Sequence, residues 1–133
     1  MTQKELKQLY YLNKEIEMWR KALSNLENMS FIKAQQITGM PTAHNNGDST
    51  GNVATKKADI ENKIKELQQR ACDESIKIIN YIESIDDSLV RQVMYHRHVL
   101  CFKWGQVAKA IGGNNTGDGL RMMYKRYIED HNL

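Results

Sequence analysis

The chain has 133 residues, 41% of them hydrophobic and 26% charged, with a single proline, 8% aromatic residues and a net charge of +3. That length has room for one domain, or for a small domain plus an extended element, and the shortage of proline and aromatics favours helix over sheet. There is no apolar run long enough to span a bilayer and no charged-then-apolar N-terminal signal, so the chain is expected to stay in the cytoplasm where it is made.

The two cysteines, Cys72 and Cys101, lie far apart in no paired motif. That is the usage of a reducing compartment, and both read as small apolar residues. Charge is unevenly placed. Residues 1–86 carry 12 Lys/Arg against 12 Asp/Glu, whereas residues 87–133 carry seven basic side chains against four acidic ones. The whole excess therefore falls on the C-terminal segment, which suits a polyanion-binding head on a neutral body.

From about Thr2 the spacing predicts a long amphipathic helix ending near Gln36. Leu9, Leu12, Ile16, Trp19, Leu23 and Leu26 recur in alternating steps of three and four, an a/d seam. Thr2 with Glu5 forms a candidate capping box. Residues 37–52 gather three glycines, the proline and a cluster of Asn, Asp, Ser and Thr, and read as a mobile loop. His44 and Asp48 there are explained by loop polarity without invoking a metal. A second long helix is predicted from Val53, with Ile60, Ile64, Leu67 and Ala71 on a seam that shifts to Ile78, Ile79, Ile82 and Ile85. Folded back on the first, it would give an antiparallel hairpin, and two seams alone make a thin core that pairing with a second hairpin would complete. Tyr10, Tyr11 and Tyr95 read as core or seam residues.

Ser84 and Asp86-Asp87-Ser88 mark a boundary and offer an N-cap for a third helix from Ser88 to His98, with Leu89, Val90, Val93 and Met94 apolar. The fold expected is all-α: a coiled-coil hairpin over 1–86, followed by a three-helix helix-turn-helix domain over 87–133. Its last two helices are FKWGQVAKAI and the stretch after Gly112-Gly113-Asn114-Asn115, where Leu120, Met123, Tyr124 and Tyr127 share one face. Trp104 would plug the core.

On the opposite face Arg121 suits a bidentate contact to guanine, and Asn114, Asn115 and Thr116 can reach adenine edges or phosphates. Lys103, Lys125 and Arg126 suit phosphates. Gly117 and Gly119 conflict with a helix here. Either the helix starts near Gly119, or bare backbone approaches a phosphate, and the recognition helix is expected to be frayed until DNA orders it. His96, His98 and Cys101 form the pattern H-x-H-x-x-C, but residues two apart on a helix face different ways, so no metal site is expected. Phosphate-binding glycine loop, nucleophile elbow and tuned carboxylate pair are all lacking, so neither enzyme activity nor a cofactor is expected.

The residues Tyr81-Ile82-Glu83-Ser84-Ile85, Phe102-Lys103-Trp104, Gln106-Val107-Ala108, Ile111-Gly112, Leu120 and Arg126-Tyr127 resemble those of phage-encoded regulators related to the RinA and ArpU late-gene transcription factors. The C-terminal part of that family is similar to region four of bacterial sigma factors, and Gly39-Met40-Pro41 resembles its N-terminal loop. Gly105, Gly117 and Gly119 depart from the sigma pattern. The resemblance implies duplex DNA binding from Trp104 to Arg126 in a bacterial host, by a phage or prophage transcriptional regulator multimerised through its hairpin. Two other functions fit the same features: an adaptor contacting RNA polymerase or a phage component, and a small-terminase-like packaging protein.

Overall fold

The computed structural model describes residues 1–37 and 46–133, with side chains for 1–29 and 51–133. Every regular element among these residues is helical: α1 (Gln3–Ile37), α2 (Asn46–Glu83), α3 (Ser88–Met94), a π-helical turn (Tyr95–Val99), α4 (Trp104–Ile111) and α5 (Gly117–Asp130). None of the helices is long and apolar enough to cross a membrane.

α1 starts at a reciprocal cap. The Thr2 amide donates to Glu5 Oε2 at 2.6 Å and the Glu5 amide donates to Thr2 Oγ1 at 3.2 Å. These bonds hold the Glu5 carboxyl below its ordinary range. α2 begins at Asn46, seven residues before Val53, so the expected loop over 37–52 is shortened from its C-terminal side. A Cβ at Gly51 would meet nothing within 4 Å, and the Thr55 hydroxyl bonds back to the Gly51 carbonyl at 2.9 Å. Glycine here costs propensity but creates no clash, and a long helix absorbs that cost. The rest of the loop, with His44, falls in 38–45, outside the described residues.

The chain forms two compact units, Asn13–Gln69, and Met1–Leu12 with Arg70–Leu133, so α1 and α2 each contribute to both. In the unit Asn13–Gln69, Ile16, Ile60, Ile64 and Leu67 are buried, as the seam spacing predicts. Trp19, Leu23 and Leu26 are only half-buried. Lys63 Nζ lies 4.9 Å from the centre of the Trp19 ring, whose indole N–H is buried without an acceptor among the described residues.

The other unit closes around two groups of side chains. Leu6, Ile78, Val93, Met94 and Val107 are its most deeply buried residues. Val93 of α3, Val107 of α4 and Leu120 of α5 form one core cluster, ringed by Leu89, Phe102, Trp104, Ala108, Ile111, Met123 and Tyr124. α3 is capped by Asp87, whose carboxylate accepts from the amides of Leu89 at 2.8 Å and Val90 at 3.1 Å. The expected single helix from Ser88 to His98 changes at Tyr95 into the π-helical turn, which shifts the facing of the residues after it.

Several residues read as apolar interior are at the surface. Tyr10, Tyr11 and Tyr95 are exposed, as is Cys72, while Cys101 is half-buried with a positive φ of 57°. A polar stem end or a small side chain can sit at the edge of a seam without entering it, and periodicity does not separate the two positions.

Candidate nucleic-acid interface

α4 and α5 are joined by Gly112 to Thr116. Gly112 and Gly113 take φ values of 76° and 68°, the left-handed region that ends a helix at little cost only for glycine. The Gly112 amide donates to the Ala108 carbonyl at 2.9 Å, and Asn115 Nδ2 donates to the Gly112 carbonyl at 3.0 Å. Thr116 caps α5, its Oγ1 accepting from the Gly119 amide at 3.0 Å. α5 is thus a regular helix from Gly117 onward rather than one that starts later at Gly119.

Gly117 has a packing cause that the sequence did not show. A Cβ there would lie 3.2 Å from the Trp104 carbonyl carbon and oxygen and from the Gly105 amide nitrogen. Two helix starts meet backbone to backbone, so a side chain at 117 would force them apart by a few tenths of an ångström. Lys103, which precedes α4, is thereby brought to the end of α5 that carries Thr116. Lysine has no acceptor to cap with. Its own amide instead donates to Gln106 Oε1 at 2.9 Å.

Lys103, Asn114, Asn115, Thr116, Arg121, Lys125 and Arg126 are all exposed. Asn115 and Thr116 spend part of their hydrogen-bonding capacity on the turn and the cap. Arg121 Nε stands 3.9 Å from Asp118 Oδ1, and Lys125 Nζ stands 3.9 Å from Glu129 Oε1. Such long, solvated pairs are worth at most about 0.5 kcal/mol, so an incoming phosphate displaces them cheaply. Lys103, Lys109 and Arg126 make no ion pair among the described residues. The remaining two cations of the C-terminal segment serve the fold. Arg91 Nη1 donates to the Ile85 and Asp86 carbonyls at 2.6 and 3.0 Å. Arg97 Nη1 donates to the Phe102 carbonyl at 2.7 Å while its guanidinium lies 4.8 Å from the Trp104 ring centre.

α5 is fixed from behind by a relay through the π-helical turn. The buried His98 ring lies 3.1 Å from the Leu6 carbonyl through Nδ1 and 3.0 Å from the Tyr124 hydroxyl through Nε2. A carbonyl only accepts, so Nδ1 carries the proton and Nε2 accepts from Tyr124. Gln3 lies near enough to the Tyr124 hydroxyl to favour its ionised form. Burial, and after it the neighbouring charges of Arg97 and Lys7, push the His98 pKa down to about 4 against the Leu6 bond. Burial likewise raises that of Tyr124. A second tie joins α2 to α5, with the Tyr81 and Tyr127 hydroxyls 3.0 Å apart.

His96 faces elsewhere: its Nδ1 lies 2.7 Å from the Gln92 carbonyl and its ring packs near Phe102. No group of three His, Cys, Asp or Glu side chains among the described residues could hold a metal ion. No protein-family model, curated protein or solved structure matches the chain.

Proposed function

We propose that the chain is a transcriptional regulator of phage or prophage type that binds duplex DNA through α5 and the preceding turn, residues 114–126. The supporting observation is the outer face of α5. Arg121, Lys125 and Arg126 are exposed with weak ion pairs or none, on a helix held by a shared core and by the Gly117 crossing. A rigid helix with displaceable cations, standing on a shorter helix across a tight turn, fits a helix-turn-helix whose second helix enters the major groove. In this reading 87–133 is the binding head and 1–86 a coiled-coil hairpin. Lys63 packs on Trp19 and Lys77 feels the charge of Glu5. Within the unit Asn13–Gln69, the contact of Lys63 with Trp19 and the shared burial of Ile16, Ile60, Ile64 and Leu67 favour packing of α1 on α2. The half-buried Trp19, Leu23 and Leu26 favour association of hairpins into a homo-oligomer. A bacterial cytoplasm and the RinA/ArpU-like resemblance belong to the same proposal and rest on the sequence residues quoted above.

A single head contacting a few phosphates binds in the range of about 10⁻⁴ to 10⁻⁶ M. Several heads on one assembly raise this by avidity. The test is fluorescence anisotropy on random duplex DNA at two salt concentrations, with the intact chain and a Lys125→Ala/Arg126→Ala variant. A steep salt slope that becomes shallower by about two units in the variant supports the proposal. Failure to bind at low salt refutes it and leaves the adaptor reading, which the exposed Tyr95 and Leu100 beside the π-helical turn favour.

A further inference from the structure

Met122 is 46% exposed in the middle of the cationic face of α5. On a helix of about 3.6 residues per turn its nearest surface neighbours are Asp118, Gly119, Lys125 and Arg126. Gly119 presents bare backbone on one side of it. Along the face, Asp118, Met122, Lys125 and Glu129 run down one line, at the i, i+4, i+7 and i+11 positions. Arg121 lies to one side of that line and Arg126 to the other, and all six side chains are exposed.

An arginine on each flank, with Met122 on the line between them, matches the section of a major groove, which has phosphates on both rims and base edges on its floor. An anionic membrane would require several apolar residues along the middle. Here Met122 is the one apolar side chain of the four.

We infer that Met122 is a specificity-determining residue that packs against the 5-methyl group of a thymine in the bound site. The inference rests on the proposal of duplex binding and adds to it a base preference with a chemical cause. Thymine is the one base that offers an apolar group in the major groove. A flexible, polarizable thioether can follow that methyl without a fixed hydrogen-bond geometry.

The experiment uses the full chain and the duplex it selects from a randomised pool. Affinity for that duplex is compared with affinity for the same duplex carrying uracil in place of each thymine in turn. At one position, loss of the methyl weakens binding about fourfold, the worth of one buried methyl. Met122→Ala brings the thymine-to-uracil ratio at that position to one, and Met122→Leu keeps it. Lys125→Ala weakens binding to both duplexes and leaves the ratio near four. A wild-type ratio of one at every position, with duplex binding intact, overturns the assignment of Met122 and leaves DNA binding standing. A ratio that survives Met122→Ala overturns it as well. No binding to any duplex overturns both proposals together.

Discussion

Acidification should loosen the C-terminal unit through His98 before its carboxylates protonate. The ring is buried and neutral in the folded chain, with a pKa of about 4 against 6.5 for the ordinary side chain. The folded state therefore holds fewer protons than the unfolded state between those values, and stability rises with pH across the window. The contribution is complete above pH 6.5, declines as pH falls below it and is exhausted below pH 4. A difference of that size corresponds to about 3 kcal/mol, of which about 2 kcal/mol is lost between pH 7 and 4.5. Urea denaturation of the wild type and of His98→Gln, followed by circular dichroism at half-unit steps of pH, isolates the effect. Glutamine cannot take up a proton in this range, so the difference between the two proteins isolates the His98 ring. The wild-type free energy minus that of the variant should fall by about 2 kcal/mol over the window. A flat difference would show that the ring is not desolvated as its bonds to Leu6 and Tyr124 imply, and the reasoning would fail.

Glycine substitutions at the crossing of α4 and α5 should diverge. Gly117→Ala drives a methyl into the backbone of Trp104 and Gly105 and is expected to cost about 1 to 3 kcal/mol in denaturant midpoint experiments. Gly105→Ala meets open space and is expected to be neutral or to stabilise by up to about 1 kcal/mol. Equal effects would refute the close approach. Removing the α3 cap with Asp87→Ala should lower stability by about 1 kcal/mol, whereas Asp86→Ala, which leaves the cap in place, should change little. Leu23→Glu/Leu26→Glu should lower the solution mass measured by light scattering if these half-buried residues join copies, and an unchanged mass would refute that role.

The long helices were legible because burial of one face leaves a repeating imprint. Leu9, Leu12, Ile16, Ile60, Ile64 and Leu67 are buried where spacing put them. So were the Thr2–Glu5 box and the Asp87 cap, which depend on residues three or fewer apart. Features that depend on tertiary approach were not. The start of α2 at Asn46 defies the local glycines, because a helix of 38 residues tolerates a poor first turn. His98 lies on the π-helical turn, where the 3.6-residue rhythm no longer says which way a side chain faces. Its partners are 92 and 26 residues away. The outward set on α5 was readable from the apolar period of Leu120, Tyr124 and Tyr127, but the reason for Gly117 required knowing that the backbone of α4 lies against it.

The relay from Leu6 through His98 to Tyr124 also constrains how this chain can be dissected. A fragment beginning at Asp87 would strip His98 of the partner that α1 supplies and bare the side of the head that Leu6 covers. The C-terminal helices are thus not a portable cassette. Swapping them onto another stalk, by experiment or by recombination, would have to bring the opening turns of α1 along, although those turns are far away along the chain.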